Sequence, residues 1–165
     1  MPPGFTKLKT RRCVSRLRKP ARSGPRSVPR AVLDTNVLVS ALISPGGPSA
    51  ALLLELRAGA FELVVSPILL AELGDVLGRP KFRPYVTAAE AAAYMELIGH
   101  EGTIHDDPPP AEEPLSADPD DEYLLDLARA AAADVLVSGD SHLLVLRDVV
   151  PVMTPAEFLA SLANR

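Results

Sequence analysis

Arg30-Ala31-Val32-Leu33-Asp34-Thr35-Asn36-Val37 changes character at its midpoint. Three apolar residues end at a polar Asp-Thr-Asn turn, and Val37 to Ile43 then carries apolar residues at helical spacing. A short apolar run closed by polar residues reads as a buried strand, so the segment is a strand that feeds a helix.

The same alternation continues along the chain. Pro45-Gly46-Gly47-Pro48 stops the first helix, Ser49 is expected to cap a second to about Arg57, and Gly59 closes it. Phe61 to Val65 is the second strand, and Ser66-Pro67 opens a helix to about Leu77 that Gly78 and Pro80 end. Thr87-Ala88-Ala89-Glu90 is a capping box for an Ala-rich helix ending near Gly99. A weak strand at Thr103 to His105 precedes the Pro-rich stretch from Pro108 to Pro114. Asp118-Pro119 is expected to cap a helix to about Ala132, followed by a strand at Val135 to Ser138 and a short helical turn after Asp140. A strand at Val150 to Met153 and a helix from Thr154-Pro155-Ala156-Glu157 complete the pattern. Strands separated by helices predict right-handed crossovers and a mainly parallel sheet covered on both faces, an α/β fold of three α/β/α layers.

The charge of the chain is unevenly placed. The 165 residues hold 17 Lys and Arg against 21 Asp and Glu, a formal charge of −4. Residues 1–30 hold ten of the basic groups and no acid, which leaves seven basic and all 21 acidic groups to the other 135 residues, a formal −14. Residues 1–29 are rich in Pro, Arg, Ser and Gly without apolar periodicity and are expected to be disordered, leaving one folded domain over residues 30–165. Two readings of this tail stand side by side. It is a basic arm that grips phosphates, or the start was assigned too early and translation begins near Val28, giving Met-Pro-Arg.

Arg11-Arg12 is followed by no apolar stretch of export-signal length, and no apolar run is long enough to span a bilayer, so a cytoplasmic protein without a membrane partner is expected. Cys13, the single cysteine, lies in the tail and says little about redox compartment.

In parallel sheets, ligands bind beyond the carboxyl ends of the strands, which singles out Asp34 and Asp140. Either alone is also a plain helix cap. Glu72 has Ile68, Leu69 and Val76 as its helical neighbours and flanks the apolar stripe, so it is expected to face inward, whereas Asp75 suits solvent. With Asp118 as cap, Asp121 falls in the first helical turn three residues before Leu124, ahead of Asp120 and Glu122 as a site candidate. Favourable interaction of first-turn acids with the helix dipole accounts for that acidic run equally well.

Four carboxylates on one end of a sheet repel one another unless a multivalent cation neutralises them, and all-oxygen ligation suits Mg²⁺ or Mn²⁺. His100, His105 and His142 lack zinc-ligand spacing. There is no Gly-x-Ser-x-Gly elbow and no Gly-x-x-x-x-Gly-Lys phosphate loop.

These residues resemble the PIN-domain nucleases. Val32-Leu33-Asp34-Thr35-Asn36-Val37 is similar to their first motif and Ser66-Pro67 through Leu70-Ala71-Glu72-Leu73 to their second. Asp118-Pro119-Asp120-Asp121 through Leu127-Ala128 is similar to the third, and Val137-Ser138-Gly139-Asp140 with Leu143-Leu144 to the fourth. The resemblance runs from Arg30 to about Leu159 and is strongest to the prokaryotic toxin components of toxin–antitoxin systems, akin to VapC-type ribonucleases.

It implies that Asp34, Glu72, Asp121 and Asp140 bind Mg²⁺ or Mn²⁺, supported by Thr35, Asn36 and by Ser138, which stands where the family often has Thr. It further implies metal-assisted hydrolysis of single-stranded RNA leaving a 5′-phosphate, an antitoxin partner and a homodimer. One departure is His142, where the family's fourth motif commonly has a second acid; an exposed helix residue is its plainer reading. An acidic domain must still admit RNA, and Arg79-Pro80-Lys81-Phe82-Arg83-Pro84-Tyr85 is the candidate contact through Arg79, Lys81 and Arg83, or else a simple connection.

Two other functions compete. A haloacid-dehalogenase-type phosphatase would use Asp34 as nucleophile, but it expects Asp-x-Asp and a core Lys, where this chain has Asp34-Thr35-Asn36 and only Lys81 beyond the tail. A PIN-like module whose site has decayed would bind RNA or protein without cutting.

Overall fold

Three apolar residues are too short to be stable alone, so the strand β1 (Arg30–Leu33) must be paired on both sides. In the computed structural model, which describes residues 28–164, that is its position. Of the tail, residues 1–29, the stretch 1–27 lies outside the described residues, and with it most of what is expected there.

From β1 the chain continues through α1 (Thr35–Ile43), α2 (Pro48–Arg57), β2 (Glu62–Val65), α3 (Pro67–Gly78), α4 (Ala88–Glu101) and β3 (Thr103–Ile104). It then forms α5 (Glu122–Ala130), β4 (Val135–Val137), α6 (Ser141–Leu144), β5 (Val152–Met153) and α7 (Pro155–Ala163). The sheet order is β3-β2-β1-β4-β5, and all four pairings are parallel. Val32 pairs with Val64 on one side and Leu136 on the other.

The chain moves outward from β1 to β3, then returns to the other side of β1 for β4 and β5. With right-handed crossovers, that reversal puts the helices before β3 on one face and α5 on the other. It also leaves a crevice beyond the carboxyl ends of β1 and β4, where the direction of winding switches.

Aliphatic side chains fill the centre. Leu33, Leu63 and Leu136 from the sheet meet Leu38, Leu69, Leu73 and Leu77 from one layer and Leu124 and Leu127 from the other, all essentially excluded from solvent. Phe61 and Phe158 form an edge-to-face pair with ring centroids 5.2 Å apart.

The local signals hold where capping is strong. The Ser66 hydroxyl accepts from the Leu69 N–H, and Thr87 and Thr154 each form the full reciprocal capping box with Glu90 and Glu157. They shift where another group competes. The helix expected from Val37 begins at Thr35, because the Asp34 carboxylate accepts the Asn36 N–H and caps it. Pro48 occupies the first turn of α2 behind Gly47, so Ser49 is buried within the helix rather than capping it.

Asp118 caps a 3₁₀ turn, Pro119–Asp121, and α5 begins only at Glu122, so Asp121 is the last residue of that turn. The strands stop short of Phe61, His105, Ser138 and Val150.

The Pro-rich connection is held from α5. Glu122 Oε2 accepts the N–H groups of Leu115 and Ser116 at 2.9 and 2.7 Å. Asp126 accepts the Ala111 N–H at 3.1 Å and an Arg129 guanidinium N–H at 2.9 Å. Among the described residues, no single helix is long and apolar enough to cross a membrane.

The end of α5 stores strain. Ala132 has φ 49°, the left-handed position that glycine usually fills, while the Ala133 N–H reaches back to the Ala128 carbonyl. Ala132→Gly is therefore expected to stabilise the domain by about 1 kcal/mol, seen as a melting temperature a few degrees higher. An unchanged or lower melting temperature would show that this backbone is not strained.

Candidate active site

Capping places two of the carboxylates. Asp34 follows β1 and Asp140 follows β4, each as the cap of the next helix, so both lie at the crevice between those strands. Asp34 is buried. Its Oδ1 accepts from Asn36 N–H at 3.0 Å and its Oδ2 from the Ser138 hydroxyl at 2.6 Å. The Ser138 Oγ in turn accepts the Asp140 N–H at 3.0 Å, so one hydroxyl bridges the two acidic turns. Asp140 Oδ1 accepts from His142 N–H at 2.7 Å, and the His142 residue is exposed, in keeping with its plainer reading.

Glu72 reaches the site from α3, but it does not face inward. It is exposed, because it projects beyond the carboxyl ends of the strands rather than into the layer between helix and sheet. Its Oε2 accepts hydrogen bonds from the Thr35 hydroxyl at 3.1 Å and from the Tyr123 hydroxyl. Two hydroxyls, rather than a charged side chain, therefore hold it. Nothing in the sequence distinguishes Tyr123 from any other residue of an amphipathic helix.

Electrostatics tie the acids together. Burial raises the Asp34 carboxyl above its ordinary range, and Glu72 and Asp140 raise it further, while the Ser138 and Asn36 donors oppose this. Asp121 is pushed up to about 6, by burial first and then by Asp34, Asp140 and Asp118, with His142 acting in the opposite direction. Burial, then the bond to Glu72, raises the Tyr123 phenol, so it stays protonated and donates.

The ion pairs of the described residues lie elsewhere: Arg30 with Glu62, Arg129 with Asp126 and Arg147 with Glu157. Among the described residues, none of these pairs neutralises the four acids. Hard oxygen donors in this number fit Mg²⁺ or Mn²⁺. Among the described residues, no three His, Cys, Asp or Glu side chains are drawn together as a ready-made cage. An ion that keeps several of its waters does not need one.

The basic segment divides. The Arg83 guanidinium donates to the Leu77 carbonyl at 3.0 Å and the Val86 carbonyl at 3.4 Å, so it closes the end of α3. Lys81 lies over the Phe82 ring, 4.9 Å from its centroid, and Arg79 is exposed.

Two expectations follow. Tyr123→Phe keeps the ring and removes one of the two donors that orient Glu72, so Mn²⁺ affinity measured by calorimetry is expected to fall about tenfold with the melting temperature nearly unchanged. Equal Mn²⁺ affinity would show that the bond does not orient Glu72. The second concerns pH. An unfolded Asp ionises near 3.9, but folded Asp121 holds its proton to about pH 6. The folded chain binds more protons between those values, so metal-free stability falls as pH rises through that window. Asp121→Asn is expected to flatten this part of the melting profile in EDTA; an identical slope would contradict it.

Comparison with known proteins places the chain. The PIN-domain family model matches residues 30–142, and the chain belongs to that family. The uncharacterized protein MJ1680 of Methanocaldococcus jannaschii is 29% identical over 147 residues, covering 79% of this chain and 89% of that protein. Two solved structures share the fold. A chain from the crystal structure of VapBC2 from Rickettsia felis, bound to a DNA fragment from their promoter, is 20% identical with a TM-score of 0.54, covering 76% of this chain and 98% of that one. PAE2754 from Pyrobaculum aerophilum is 17% identical with a TM-score of 0.58, covering 86% and 100%.

Proposed function

We propose that this chain is an endoribonuclease that hydrolyses single-stranded RNA with Mg²⁺ or Mn²⁺. The observation that carries the reading is the group of mutually repelling acids at the winding switch with no Lys or Arg of the described residues paired to them. Asp34, Glu72, Asp121 and Asp140 would hold the ion. When bound, it supplies a water of lowered pKa and charge stabilisation at the phosphate.

The protein's part is orientation. Ser138 fixes Asp34 and the Asp140 turn together, while Thr35 and Tyr123 fix Glu72 by one oxygen and leave Oε1 for the ion. Asn36 contributes its N–H to Asp34 and its side chain to the mouth of the site. Arg79 and Lys81 serve as the RNA contact, and Arg83 supports them by closing α3.

The fold shared with a chain of Rickettsia felis VapBC2 supports a toxin with an antitoxin partner, and action in the cytoplasm belongs to the same proposal. A homodimer is part of the same reading. The test is analysis of product ends after incubation of the full chain with single-stranded RNA and Mn²⁺. Fragments with 5′-phosphate and 3′-hydroxyl ends are expected; cyclic phosphates or uncut RNA would overturn it.

A further inference from the structure

Three polar side chains beside Asp140 make no side-chain hydrogen bond to any described residue: the Asn36 amide and the hydroxyls of Ser40 and Ser49. Ser49 is only 5% exposed as a residue, and since its hydroxyl is not among the fully buried unpartnered atoms, what remains open of it faces the groove. Hydroxyls and amides left open to a groove are free to bond an occupant. All three line one groove of about 360 Å³, with Val37 and Pro155 as its apolar walls and Asp140 at its junction with the acidic site. The groove draws on the first two turns of α1, the first turns of α2 and α7 and the loop after β4, so its shape is set by tertiary packing.

Its chemistry selects one kind of occupant. Asp140, with Asp34 close by, repels a phosphate or a carboxylate. Apolar walls with an amide and two hydroxyls between them suit a flat, uncharged ring that carries donors and acceptors on its edge. Nucleobases of single-stranded RNA are read in this way, by hydrogen bonds to exposed edges. We propose that this groove seats the base of a nucleotide adjoining the scissile phosphate, and that Asn36, Ser40 and Ser49 read its edge. The inference rests on the ribonuclease reading and adds to it a source of sequence preference.

The experiment compares the full chain with Ser40→Ala, Ser49→Ala and Ser40→Leu on a pool of short single-stranded RNAs with Mn²⁺, sequencing the cut sites. Calorimetry with Mn²⁺ alone and melting temperatures run in parallel. Each Ala variant is expected to lose about three- to tenfold in kcat/KM on the preferred sequence, mostly through KM, with little change on other sequences. Ser40→Leu fills the groove and is expected to flatten the preference altogether. Mn²⁺ affinity stays as in the parent chain.

Cleavage by all variants with an unchanged preference would overturn the base site and leave the ribonuclease reading standing. A parent chain that binds Mn²⁺ but cuts no RNA in the pool would overturn both. A uniform loss on every sequence would assign the serines a structural role and overturn the base site.

Discussion

Asp34→Asn is expected to abolish metal-dependent RNA cleavage, by more than about 100-fold, while the domain stays folded. Loss of an outer partner of a metal ligand already costs about 10- to 100-fold, and Asp34 is proposed as a ligand itself. The substitution is nearly isosteric. The Asn oxygen can still accept the Asn36 N–H, and the new amide can donate to Ser138 Oγ, which takes over as acceptor. Removing a buried charge that Glu72 and Asp140 repel also relieves the metal-free state. The melting temperature in EDTA is therefore expected to hold or rise, and Mn²⁺ should no longer raise it. Full activity in this variant, measured on the same RNA, would remove Asp34 from the site.

The second large effect is on stability. Leu73 follows Glu72 on α3, and its side chain is fully buried, at 0% exposure. Leu73→Ala is expected to cost about 2–5 kcal/mol, from lost burial and from the cavity left among aliphatic neighbours that cannot fully collapse. For a domain of this size that corresponds to a fall of roughly 5–15 °C in melting temperature. Cleavage below the transition should persist, since Glu72 keeps its Thr35 and Tyr123 donors. A loss under 1 kcal/mol would mean the core repacks freely around α3.

How far the sequence could be read depended on the range of each interaction. The caps at Ser66, Thr87 and Thr154 involve residues three apart, and they stand as expected. Asp34 and Asp140 were legible for a related reason: an acid directly after a strand caps the next helix, and parallel strands bring such caps to one end of the sheet.

Longer-range contacts left no local mark. Tyr123 bonds to Glu72 across 51 residues, and Ser138 to Asp34 across 104. Glu122 looked like one more solvated acid, yet it is buried and holds the Leu115 and Ser116 amides. The start of α5 is displaced to Glu122 because Pro119 suits the first turn of either helix type, and here the turn capped by Asp118 is 3₁₀. Arg83 is exposed, but its guanidinium is bonded to the Leu77 carbonyl in the last turn of α3 and to the Val86 carbonyl beyond it, contacts that its sequence neighbours do not signal.

The central claim is that an ion held by the acids beyond β1 and β4 cuts RNA. The most direct measurement is cleavage of one labelled single-stranded RNA by the full chain after EDTA treatment, and again after Mn²⁺ is restored, beside Asp34→Asn. The account predicts no cleavage in EDTA, full recovery with Mn²⁺ and none by the variant under either condition. Cleavage that persists in EDTA, or that Asp34→Asn performs at the parent rate, would contradict it.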